Sequence, residues 1–129
     1  MEDSKNNRQA IGHYGEDLAC EFLISHGHII LERNWRFGHL EIDIISCDPE
    51  GIHFVEVKTR KTNIQAPPQN NVDIMKQKRI AKAAAWYLKT SKKIPSGVGE
   101  CIFDIFAVTF CKENVKTEWF PQAFIPLYF

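Results

Sequence analysis

Apolar positions along the chain repeat in two ways, and each repeat predicts an element. Ala10, Ile11, Tyr14, Leu18, Phe22 and Leu23 recur at helical spacing, and Gly27 follows as a stop, so a first helix is expected up to that glycine. His26 and His28 lie near its end, where the helix dipole favours a cation. Ile29, Ile30 and Leu31 read as a first strand. From Leu40 to Ser46 the chain alternates, with Glu41, Asp43 and Ile45 on one side and Ile42 and Ile44 on the other, as a strand requires. The run from Asp48 through Pro49 and Glu50 to Gly51 predicts a hairpin turn into a third strand, Ile52 to Thr59.

Residues 61–71, which include Pro67, Pro68, Asn70 and Asn71, carry no period and predict a surface loop. A second helix is expected from about Val72 to Lys89. Its apolar arc holds Val72, Met75, Ile80, Ala83, Ala84 and Tyr87, and Lys78, Lys82 and Lys89 lie together on another side. Ile102 to Phe110 is apolar almost throughout, the mark of a strand buried on both faces. The aromatic tail, interrupted by Pro121 and Pro126, predicts a last short strand or coil. The expected architecture is one α/β domain over residues 1–129, a mixed sheet flanked by helices in the order α-β-β-β-α-β-β.

Composition agrees with a packed core, since 44% of the residues are hydrophobic. No apolar run approaches the ~18 residues of a membrane helix, and the polar start, MEDSKNNRQ, has no leader-like apolar stretch. A cytoplasmic protein without a membrane partner is expected. Cys20, Cys47, Cys101 and Cys111 form no CxxC pair and no zinc-like spacing with histidine, so they read as reduced thiols.

Charge changes the picture more. Sixteen basic and sixteen acidic residues give a formal net charge of zero. The sum hides a segregation: from Glu56 to Lys93 there are ten basic and two acidic residues, net +8, against six basic and fourteen acidic elsewhere. A neutral chain with a basic half can still present one face to phosphate.

The candidate chemistry follows from strand parity. Glu41 and Asp43 share one side of the second strand, and Phe54, Glu56 and Lys58 share one side of the third. A hairpin would bring Asp43, Glu56 and Lys58 onto one surface. Carboxylates placed among Ile, Val and Phe are costly without a ligand, and a hard divalent cation meets that cost. The plainer alternative is that Glu56 and Lys58 are the wet face of an ordinary strand.

These residues also carry a resemblance. GEDLACEFL (15–23), NWR (34–36), GHLEIDII (38–45) and FVEVKTR (54–60) together resemble the YraN-type family of small bacterial proteins. Further similar positions lie in the second helix, around Phe103 and Asp104, and at Ala123 and Phe124. The resemblance implies a restriction-endonuclease-like fold related to archaeal Holliday junction resolvases, and a PD-(D/E)xK nuclease motif formed by Asp43, Glu56, Val57 and Lys58. By that likeness, Asp43, Glu56, the Val57 carbonyl and Glu16 would hold Mg²⁺ or Mn²⁺, and Lys58 would position the attacking water. Two positions depart from the family pattern: Leu40 replaces a glycine and Ile102 an arginine.

The expected function is then a metal-dependent nuclease acting on DNA before RNA, with branched or damaged DNA among its substrates. The alternative is a nucleic-acid-binding protein of the same fold without turnover. Lys76 and Arg79 project within or beside the apolar arc of the second helix, where phosphate contact and snorkelling explain them equally. With Lys76, the helix N-terminus would form an anion site. Arg36 and Arg60 flank the motif strands as candidate phosphate contacts. His39 shares parity with Asp43 and is a weaker metal candidate. Trp119, Phe120, Phe124, Tyr128 and Phe129 suit core packing or a homodimer seam better than base stacking. A protein–protein adaptor using that tail is a third reading.

Overall fold

The computed structural model describes residues 2–62 and 72–124. Helix α1 (Glu2–Ser25) leads into strands β1 (Ile29–Phe37), β2 (Leu40–Asp48) and β3 (Gly51–Thr62). Helix α2 (Ile74–Thr90) and strands β4 (Glu100–Cys111) and β5 (Asn114–Phe120) follow. The element order is the one the sequence predicts. Most of the expected 61–71 loop, and Pro126, Tyr128 and Phe129, lie outside the described residues; Lys61 and Thr62 belong to β3.

The five strands form one sheet in chain order. Neighbours run antiparallel except β3 and β4, which are parallel, and α2 supplies the crossover that a parallel pair needs. Every residue from Ile102 to Thr109 is buried, as its apolar run predicts. Two strands are longer than their apolar content suggests. β1 continues past Leu31 to Phe37 through Glu32, Arg33, Asn34 and Arg36, with a register shift between Ile30 and Glu32. It is an edge strand, and its polar side chains, projecting from the sheet faces, meet the helices packed there. β5, mostly exposed, is the other edge.

A core lies on each face. On the α2 side, Ile80, Ala83, Ala84 and Tyr87 pack on Leu40, Ile42, Ile45, Phe54, Phe103 and Ile105. The alanines at the contact let the helix sit close to the sheet. On the α1 side, Ala19, Cys20 and Leu23 pack on Ile44, Val55, Phe106 and Val108. Met75, expected in the apolar arc of α2, is instead 62% exposed. It sits in the first turn, before the helix meets the sheet. The tail aromatics that are described serve packing: Trp119 and Phe22 meet at 5.7 Å, Phe103 and Phe124 at 5.4 Å between ring centroids. Among the described residues no helix is long and apolar enough to cross a membrane.

Simple alternation fails at one place. Ile42 belongs to the α2-side core, whereas Ile44 belongs to the α1-side core and Ile45 to the α2 side again. Asp43 lies at that break.

Phe106 is 1% exposed between Phe22 and Trp119. Phe106→Ala should therefore cost about 3–5 kcal/mol of stability, read as a lower denaturant midpoint at constant slope. A loss below about 1 kcal/mol would show that the α1-side core is not packed as described.

Candidate active site

The β2–β3 ladder runs from Asp48 opposite Gly51 to Ile44 opposite Val55 and then stops. The next rung is made by a side chain: Asp43 Oδ2 accepts the Val57 N–H at 2.9 Å. A carboxylate thus takes the place of a strand carbonyl, and the two strands part beyond it. This corrects the expectation from parity. Asp43 reaches β3 by turning toward the neighbouring backbone at the break in alternation, and does not simply project from one face of a regular strand.

Strand β3 stays regular past this point. Ile52 and Phe54 face α2 and Val55 faces α1, so Glu56 points to the α2 side. There its Oε1 meets Lys76 Nζ at 3.1 Å, with the Glu56 side chain only 11% exposed. Beside the snorkelling and phosphate contact expected for Lys76 stands a third role, a counter-charge for Glu56. The expected anion site at the α2 N-terminus is already supplied with a negative group, since Asp73 caps the helix and accepts the Lys76 N–H at 2.8 Å.

Glu16 approaches from α1. A Cβ on the preceding Gly15 would stand 2.5 Å from Thr59 Oγ1, so the missing side chain is what allows the helix to lie against β3 at this level. Glu16 Oε2 accepts from Asn34 Nδ2 at 3.0 Å, and Arg33 holds the neighbouring Asp17 at 2.7 Å. Asn34 adopts a left-handed conformation, φ 50°, which its short polar side chain tolerates. Its role had no periodic signal; an asparagine inside a strand is the one clue the sequence offers.

Lys58 and Arg60 line, with Glu56, Val57, Thr59 and Thr109, a cavity of about 280 Å³ bounded by residues of the paired strands β3 and β4. Arg60 Nε donates to Thr109 Oγ1 at 3.3 Å. Arg79 is exposed on α2, close enough to Lys76 for their charges to repel. Arg36 stands apart from these: it pairs with Glu41 at 3.7 Å across β1 and β2, and both are exposed. His39 is exposed next to that pair.

The electrostatics single out Asp43. Burial, then the charge of Glu56 and more weakly that of Glu16, push its carboxyl up from the ordinary 3.8 to about 8, against the Val57 hydrogen bond and Lys76. Negative charge is therefore under-compensated between Asp43 and Glu56. All the donors there are carboxylate or carbonyl oxygens, which suit a hard divalent cation. Among the described residues, Glu16, Asp43 and Glu56 do not bring one oxygen each within 4.8 Å of one another. Glu56 acts on Asp43 more strongly than Glu16 does, and Glu16 is bonded to Asn34.

Residues 15–108 match the family described as "Uncharacterised protein family UPF0102". A UPF0102 protein of Geobacter metallireducens is 38% identical over 118 residues, 92% of this chain and 94% of that protein. One from Bacteroides thetaiotaomicron is 37% identical over 120 residues, covering 92% and 95%. One from Chlorobium chlorochromatii is 41% identical over 103 residues, covering 80% and 77%.

The raised Asp43 pKa has a sign that can be measured. The folded chain keeps a proton up to about pH 8 that the unfolded chain releases near 3.8, so this group's contribution declines as pH rises between those values. Asp43→Asn should remove that part of the slope: its gain in thermal midpoint over the wild type should grow from about pH 5 to about pH 8.5. A constant difference across that range would refute the raised Asp43 carboxyl, and with it the burial and carboxylate repulsion that raise it.

Proposed function

The chain belongs to the UPF0102 family, and within it we propose that this protein is a metal-dependent nuclease cleaving phosphodiester bonds in DNA, in the cytoplasm. One observation carries the reading: Asp43, buried and pushed up to about 8, shares the parted end of β2 and β3 with Glu56, two positions before Lys58. Acidic side chains held together at such cost, beside a lysine and at the edge of a basic segment, are what phosphodiester cleavage needs.

Asp43 and Glu56 would hold Mg²⁺ or Mn²⁺, with the Val57 carbonyl as a further ligand and Glu16 completing the set. Bound there, the ion would supply charge neutralisation for the pentacovalent phosphorane and its leaving oxyanion. Lys58 would orient the attacking water and stabilise charge on the phosphate. Val57 fixes the Asp43 carboxylate through its N–H, so that rotamer is set before substrate arrives. Arg60, in the same cavity as Lys58, and Arg79 and Lys76 on α2 are the cations nearest to hand for the strand backbone. Branched or damaged DNA, which can offer locally unpaired strand, suits an opening in the middle of the sheet reached from both helices.

A second reading has its own support. Lys76 already partly neutralises Glu56, and Glu16 is engaged by Asn34, which suits a protein that binds nucleic acid without turnover. The two readings part in one assay. On supercoiled and branched DNA with Mg²⁺ or Mn²⁺, the wild type should nick, and Asp43→Ala and Lys58→Ala should each lower the rate on the order of 100-fold or more. Salt-sensitive binding with no cleavage of any DNA or RNA form by the wild type would leave only the binding protein.

A further inference from the structure

The closed end of the β2–β3 hairpin carries a polar cluster that the nuclease reading leaves unused. It begins at the end of α1. His28 N–H donates to Leu23 O at 2.9 Å and Gly27 N–H to Ile24 O at 3.1 Å, with Gly27 at φ +86°. This is a Schellman ending, and it needs a residue free to adopt positive φ at Gly27. It turns the chain back under the sheet and buries the next side chain, His28. That imidazole bonds Ser46 Oγ through Nδ1 at 2.9 Å, so it does not cap the helix dipole as its position in the sequence suggests. His26 does, with Nδ1 2.8 Å from Phe22 O.

Two further groups meet His28. Asp48 ends β2, and its Oδ1 accepts the Glu50 and Gly51 N–H groups at 3.0 and 3.3 Å, which fixes the carboxylate in the hairpin turn. His53, on β3 opposite Ser46, places Nε2 2.8 Å from Asp48 Oδ1. His28 Nε2 lies 3.4 Å from Asp48 Oδ2. One donor atom from each of the three lies within 4.8 Å of the others, and the imidazole centroids are 4.4 Å apart. Behind His53, Nδ1 is 2.6 Å from Asp104 Oδ2. Asp104 is fully buried and accepts the Gln122 N–H at 2.7 Å.

We propose that His28 Nε2, His53 Nε2 and the Asp48 carboxylate form a binding site for a zinc ion. A solvent molecule would take the fourth position on the side where Asp48 lines a cavity of about 420 Å³. Bonds of ~2.0–2.1 Å in a tetrahedron put neighbouring donors roughly 3.3 Å apart. His28 Nε2 stands at about that distance, 3.4 Å, from Asp48 Oδ2, whereas His53 Nε2 meets the other oxygen, Oδ1, at 2.8 Å, so the carboxylate would turn to offer one oxygen to the ion as it replaces the proton between His53 and Asp48. Nitrogen donors select zinc over magnesium. Each imidazole is held from behind, by Ser46 or by Asp104, in the arrangement that orients zinc-binding histidines. Charge also balances: one Zn²⁺ against Asp48 and Asp104 leaves the cluster neutral with both imidazoles neutral, each keeping the N–H that bonds Ser46 or Asp104. A hydrogen-bonded histidine–aspartate network would satisfy both imidazoles without an ion. What the ion adds is a reason for two imidazoles to converge, centroids 4.4 Å apart, on one carboxylate. The ligands come from the end of α1, from β2 and from β3, so the ion would clamp three elements.

The test is a Zn²⁺ titration of the purified full chain against a chromophoric chelator, with Co²⁺ as a spectroscopic substitute. The wild type should bind one equivalent, give the intense visible bands of a tetrahedral Co²⁺ site, and unfold at a higher temperature with zinc. His28→Gln and Asp48→Asn should each weaken binding more than about 100-fold, the upper end of what losing a supporting partner costs, and Ser46→Ala about 10-fold. Asp43→Asn should bind as the wild type does, which separates this site from the nuclease one. No stoichiometric binding by the folded wild type overturns the proposal. So does binding unchanged in the His28 and Asp48 variants, which would assign the metal to cysteines or to the Asp43–Glu56 pair. Should those variants fail to fold, an unchanged affinity in Ser46→Ala would count against it.

Discussion

One hydrogen bond organises the sheet: Asp43 Oδ2 to the Val57 N–H. Because a side chain occupies the rung after Ile44 and Val55, the backbone ladder ends there and β2 changes the face it presents. Ile42 can then fill the α2-side core while Ile44 fills the other. The same substitution leaves an opening between two strands in the middle of the sheet. Glu56 with Lys76 reaches it from one side and Glu16 from the other. A regular ladder would have kept those carboxylates on separate faces, screened from one another by the sheet. The energetic cost appears in Asp43, whose carboxyl is pushed up by burial first and by its acidic neighbours second.

That site rests on close approach as well as on charge. Gly15 lets α1 touch β3 at Thr59, and the alanines of α2 let that helix lie on Ile45 and Phe54. The polar arms of β1 fasten both helices: Arg33 and Asn34 hold Asp17 and Glu16 of α1, and Tyr87 of α2 donates to Glu32 at 3.3 Å. An edge strand thus does for the site what a core strand could not, because its outward side chains need not be apolar.

How legible this was depended on the range of the interactions. β4 and the buried face of α2 are set by local hydrophobic period, and both read correctly from the sequence, Met75 apart. The apolar pattern predicts β1 only to Leu31 because Glu32, Arg33 and Asn34 break it, and only the helices they bind explain them. Asp43, Glu56 and Lys58 could be picked out as a set, but strand parity placed Asp43 on a face when it in fact lies in the plane of the ladder. Lys76 carried no local sign of its partner, since Glu56 is twenty residues away in sequence. His28 read as a helix-end cation because Ser46, Asp48 and His53 converge on it only after the hairpin has closed.

The two ends of that hairpin differ in a way that bears on both assignments. At the parted end the donors are oxygens alone, from Asp43, Glu56 and Glu16, with lysine close by. At the turned end two imidazoles face one carboxylate, and the groups behind them fix the direction of each lone pair. Hard oxygen sets favour Mg²⁺ or Mn²⁺, and nitrogen sets favour zinc. The ends also differ in freedom. The turned end is pinned by the Asp48 hairpin contacts and the α1 Schellman ending, so its donors are preorganised for one geometry. The parted end is anchored by the single Asp43 rung, and Glu56 is balanced by a lysine whose side chain is 43% exposed. A rigid cluster suits an ion that stays with the fold, whereas a looser pair of carboxylates suits one that arrives with a phosphate and leaves with the product.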